Sequence, residues 1–80
     1  MNEWFRLELY LVNKHLKSEI MFSKKLTLKE NIDLYLTLTN NRLAHYLLIR
    51  SKDNQILDIQ AVLADLRLIE GEELDIYPYD

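Results

Sequence analysis

The chain has 80 residues, no cysteine, one glycine, one proline and a formal net charge of -3. That length fits one small domain, expected to span residues 1–80, and such a domain buries roughly 60% of its unfolded surface, so the 17 leucines must supply a dense core. The missing cysteines exclude a disulfide scaffold, a thiolate zinc site and a cysteine nucleophile. One glycine excludes the phosphate-cradling and dinucleotide loops. No cofactor, metal or small-molecule substrate is expected, and the composition points away from an enzyme.

Residues 5–12 alternate, with Phe5, Leu7, Leu9 and Leu11 on one face and Arg6, Glu8, Tyr10 and Val12 on the other. That is the period-two signature of a half-buried strand. Residues 13–16 form a polar turn, and 17–26 resume the alternation with Ile20 and Phe22, which together read as a hairpin. Thr27 with Glu30 three residues on is a capping box. A helical stripe of Leu28, Ile32, Tyr35, Leu36 and Thr39 follows, with Asn40-Asn41 as the stop. Residues 32–39 also alternate like a strand, and the cap favours the helix. Tyr46–Arg50 reads as a third strand, with Leu47 and Ile49 assigned inward and Tyr46 and Leu48 outward. Residues 51–54 are turn formers. Gln55–Ile59 reads as a short strand and Ala61–Leu66 as a helical turn. Gly71 supplies positive φ in a turn, and Leu74 and Ile76 mark a last strand closed by Pro78.

Residues 1–50 carry eight Lys/Arg and five Asp/Glu, whereas residues 51–80 carry two and eight. The acidic total argues against nucleic-acid binding, which needs a basic footprint. No apolar run approaches the ~20 residues of a membrane span. The opening MNEWFRLELYLV is not expected to be a signal peptide, because Glu3, Arg6 and Glu8 interrupt it and no small-residue cleavage site follows. A cytoplasmic location is expected.

The order strand, strand, helix, strand, strand, short helix, strand resembles the ubiquitin-like β-grasp. In LDIQAVLADLRLIEGEELDIY the apolar anchors Leu57, Leu63, Leu68, Leu74 and Ile76, with Asp65, are similar in spacing to the last third of ubiquitin. The resemblance implies an α+β fold, with a mixed sheet of four to five strands packed on one main helix. The ending Tyr77-Pro78-Tyr79-Asp80 does not match a Gly-Gly tail, so conjugation and sulfur transfer are not expected. The Glu70-Gly71-Glu72-Glu73-Leu74 turn resembles that of the small YukD/EsaB-type proteins of bacterial type VII secretion. That resemblance implies a non-catalytic accessory or regulatory role exerted by protein contact, with a membrane-anchored secretion component as a candidate partner. A ubiquitin-like interaction module of a phage- or toxin-associated assembly is the alternative.

The outer sheet face carries the expected interaction residues: Tyr10, Tyr46, Leu48 and Tyr77, with Arg50 among the charges around them. Aromatics inside a polar rim suit an interface centre. Ordinary solvated cross-strand pairs are the plainer reading. Lys14, Lys17, Lys24, Lys25 and Lys29 read as one basic cluster, either solvated or docking an acidic partner. Glu70, Glu72, Glu73 and Asp75 do not match a calcium loop. His15 and His45 read as surface residues. Trp4 is expected to pack on Tyr77 and Tyr79, or else to give a dimer edge. A monomer or weak dimer is expected.

Overall fold

The computed structural model describes residues 3–79. Alternation drives the first hairpin: β1 (Trp4–Leu11) and β2 (Leu16–Ser23) pair antiparallel from Trp4↔Ser23 to Leu11↔Leu16. A single 3-10 turn (Val12–Lys14) connects them, and His15 closes it in the left-handed region at φ 50°. β2 ends at Ser23, three residues short of the expected boundary.

Thr27 then starts α1 (Leu28–Leu38) with both halves of the capping box in place. The Glu30 N–H donates to Thr27 Oγ1 at 3.0 Å, and the Thr27 N–H donates to Glu30 Oε1 at 2.9 Å. The helix therefore prevails over the competing strand pattern. Its buried stripe is Leu28, Asn31, Ile32, Tyr35 and Leu36, whereas Thr39 is exposed. The stop falls at Asn40, whose φ of 58° suits asparagine.

β3 (His45–Arg50), β4 (Gln55–Ile56), a 3-10 turn (Leu63–Asp65) and β5 (Glu73–Tyr79) complete the chain. β4 stops at Ile56, not Ile59, although the Leu57 N–H still donates to the Leu48 carbonyl at 2.9 Å. The sheet order is β2-β1-β5-β3-β4, with β1 and β5 parallel and the other pairs antiparallel. This is the expected α+β β-grasp: a five-stranded mixed sheet with α1 on one face.

The core lies between sheet and helix. Leu7, Leu9, Leu11, Phe22, Leu28, Ile32, Leu48, Leu74 and Ile76 are fully buried. Burying each such side chain stabilises by roughly 1.5–3 kcal/mol before entropy is subtracted. The expected inner face needs one correction. Tyr46 and Leu48 point into the core, and Leu47 and Ile49 face outward.

Gly71 has φ 87° and its N–H donates to the Arg6 carbonyl at 2.8 Å. A Cβ there would stand 3.1 Å from the Arg6 guanidinium. The backbone conformation favours glycine, and a Cβ would in addition ask the flexible Arg6 side chain to shift slightly. Pro78 is tolerated inside β5 because β1 pairs with β5 only as far as Ile76, so no β1 rung calls for its missing N–H.

Candidate functional site

The register of the three central strands builds the outer face. β3 and β5 place Leu47 opposite Tyr77, Ile49 opposite Asp75 and His45 opposite Tyr79. β4 adds Ile56 opposite Ile49, and β1 adds Tyr10 opposite Asp75. Directly opposed residues share a face, so Leu47, Ile49, Ile56, Tyr77 and Tyr79 form one apolar stripe. Leu47 is 39% exposed and Tyr77 40%. The His45 ring stacks on Tyr79 with centroids 5.6 Å apart and planes 22° from parallel.

Acidic groups border this stripe. Asp75 sits on the outer side of β5 yet is 8% exposed, and its Oδ1 accepts no hydrogen bond. Burial holds its carboxyl above the usual carboxylate range, and the neighbouring Glu73 pushes the same way. Lys17 reaches from β2 to Glu73 at 3.0 Å. That contact lowers the Glu73 pKa and raises that of Lys17. Tyr10 Oη lies 3.1 Å from His15 Nδ1. The face therefore offers apolar contact flanked by negative charge. Among the described residues no group of His, Asp or Glu could hold a metal ion.

Of the five residues expected to form the interaction patch, the structure leaves two on this face, Tyr10 and Tyr77. Leu48 is fully buried, and Tyr46 is 7% exposed with its hydroxyl donating to Asp33 Oδ1 at 3.1 Å. Burial, reinforced by the Asp33 charge, raises the Tyr46 pKa. Arg50 is committed internally. It grips Asp53 through Nε and a terminal nitrogen at 3.1 and 2.8 Å, bonds Gln55 and lies near Glu72. The hydrogen bond with Arg50 holds the Asp53 carboxyl low. Leu47, Ile49 and Ile56 stand on the outer face where Tyr46 and Leu48 were expected. The parity of Leu47 and Ile49 along β3 was the only sequence signal for those two, and four apolar residues in a row hide it.

Two further expectations change. The basic cluster divides, because Lys14 and Lys17 lie at one end of β2 and Lys24, Lys25 and Lys29 at the other. Most are engaged: Lys14 with Asn41, Lys25 with Glu3 and Lys29 with Asp33. Trp4 does not reach Tyr77 or Tyr79. β1 and β5 run parallel with Leu11 beside Ile76, so Trp4 and Tyr79 lie at opposite ends of the sheet. Trp4 instead lines an apolar groove of about 520 Å³ between β2 and α1, shared with Ile20, Met21, Leu34, Tyr35 and Leu38. No helix among the described residues is long and apolar enough to cross a membrane.

No protein-family model matches the sequence, and no curated protein does. Solved structures do match. One, described as "Molecular Mimicry of SUMO promotes DNA repair", superposes with a TM-score of 0.82 at 16% identity, over 95% of this chain and 92% of its own. Another, the solution structure of the N-terminal ubiquitin-like domain in the 4931431F19Rik protein, gives 0.75 at 11% identity, over 100% of this chain and 79% of its own. Identities this low speak for the fold alone: the chain has the ubiquitin-like β-grasp fold.

Proposed function

We propose that this protein is a non-catalytic ubiquitin-like interaction module that docks a protein partner on its outer sheet face. The observation that carries this reading is the half-exposed stripe Leu47, Ile49, Ile56, Tyr77 and Tyr79, bordered by Glu73 and Asp75. An apolar, aromatic-rich centre with a polar rim is the anatomy of a protein interface. Nucleic acid is a poor fit, because acidic groups border the stripe.

The finer reading is an accessory or regulatory component of a bacterial type VII secretion system. It acts in the cytoplasm on a membrane-anchored component of the machine. The resemblance of the Glu70-Gly71-Glu72-Glu73-Leu74 turn to that of YukD/EsaB-type proteins supports it. A tagged pull-down from the native cell tests both levels. Leu47→Asp is expected to keep the fold and lose the captured partner. Unchanged capture by Leu47→Asp overturns the outer-face reading. Capture of a partner unrelated to secretion overturns only the finer one.

A further inference from the structure

β2 is an outermost strand of the sheet. The Lys24 N–H donates to the Glu3 carbonyl at 2.8 Å. In an antiparallel ladder this sets Lys24, Phe22, Ile20, Ser18 and Leu16 on the rungs that bond to β1. The intervening residues turn their N–H and C=O groups toward the open edge. Ser23 bears this out: its N–H donates to Asn31 Oδ1 at 2.8 Å, and its carbonyl accepts from Asn31 Nδ2 at 3.0 Å. Asn31 thus seals the end of the edge from α1. The outward backbone groups of Lys17, Glu19 and Met21 remain, on a strand long enough to template another.

We propose that this edge pairs antiparallel with β2 of a second copy of the chain, about a two-fold axis at Ser18. The two five-stranded sheets then join into one of ten strands. The register follows from three features of β2. At the axis a small residue meets itself, Ser18 against Ser18. Lys17 of each copy falls opposite Glu19 of the other, so two unlike-charge pairs form, and their outward backbone groups close four hydrogen bonds. On the helix side, exposed Leu16 falls opposite Ile20, beside the groove that Leu34 and Leu38 line.

Neighbouring registers fail on the same residues. An axis at Glu19 sets two carboxylates face to face. An axis at Ile20 aims Lys17 at Ser23 of the second copy, whose backbone groups Asn31 already holds. Lys17 and Glu19 have partners within the chain, Glu73 and Arg6, each at 3.0 Å. Both side chains keep more than half their surface open, so each can take a second opposite charge. The inference is independent of the outer-face reading, since it uses the backbone edge of a different strand.

Because the chain has no cysteine, a single introduced thiol reports the register directly. Across a non-hydrogen-bonded antiparallel pair the Cα atoms stand ~4.5 Å apart, within disulfide reach. Under mild oxidation Ser18→Cys is expected to cross-link about tenfold faster than the exposed control Lys52→Cys. Light scattering of the unmodified protein should approach twice the chain mass as concentration rises. Glu19→Pro removes an outward N–H and an exposed carboxylate that pairs with Arg6, neither of them a β1–β2 rung, so it should keep its circular dichroism and stay at the single-chain mass. Lys17→Glu should weaken association, and Lys17→Glu with Glu19→Lys should restore it. The proposal is overturned if Ser18→Cys links no faster than the control, or if Glu19→Cys or Ile20→Cys links faster. It is also overturned if the unmodified protein holds the single-chain mass at millimolar concentration, whether the edge stays free or takes a strand from another protein.

Discussion

The two faces of the sheet differ in what covers them: one packs on α1, and the other carries the surface proposed to meet a partner. The helix side is filled by leucine, isoleucine and phenylalanine with no accessible surface. The outer side mixes half-exposed Leu47 and Tyr77 with Asp75, a carboxyl sunk among neighbours and lacking a full set of hydrogen bonds. Adjacent residues on β3 therefore differ more in consequence than distant residues on one face. A change at Leu48 is expected to be felt in folding, and a change at Leu47 in the proposed partner capture.

Leu48→Asp tests the contrast most severely. It buries an unpaired charge and should cost more than ~4 kcal/mol, enough to unfold a domain of this size, as chemical denaturation will read. Gly71→Ala comes next, at about 1–2 kcal/mol, because alanine must hold a positive φ while its Cβ presses on Arg6. Thr27→Ala should lose ~1 kcal/mol through the broken cap, visible as a lower melting temperature. Leu47→Asp should stay within about 0.5 kcal/mol of the parent protein while partner capture disappears.

Asp75→Asn should act in the opposite direction and raise the melting temperature slightly at neutral pH. The folded-state pKa of Asp75 is raised, so the native carboxyl is least costly below its unfolded pKa. Its cost grows as pH rises through the folded value. The advantage of Asp75→Asn should therefore be largest at neutral pH and shrink on acidification. Thermal melts of both proteins across that range will show whether the gap closes.

Where charges alternated with apolar residues, face assignment was legible. Arg6 and Glu8 between Phe5, Leu7 and Leu9 fixed the inward side of β1, and the Thr27–Glu30 cap decided α1 against a competing strand pattern. Tyr46-Leu47-Leu48-Ile49 offered no such contrast, because both faces of β3 meet apolar neighbours. Its parity is set by pairing with β5, more than 20 residues away, which no local pattern encodes. Tyr46 and Leu48 fall on the inner face for that reason, whereas Tyr10 and Tyr77, on strands with clear alternation, lie on the outer face as expected. Arg50, opposite Leu74, shares the parity of Tyr46 and Leu48 and is in addition held by its neighbours. Its partner Asp53 belongs to the turn that follows, so the pair reads as surface charge until the chain is folded back. The open edge of β2 and its groove required the strand order and could not be found along the chain.

The parallel pairing of β1 with β5 has a mechanical consequence. Force applied between Trp4 and Tyr79 pulls β1 and β5 in opposite directions along their own axes. The backbone bonds joining Glu8–Leu11 to Glu73–Ile76 are then loaded side by side and must yield nearly together. The β1–β2 hairpin, by contrast, opens one rung at a time when drawn apart at Trp4 and Ser23. The same molecule should thus resist stretching strongly along one axis and unzip easily along another.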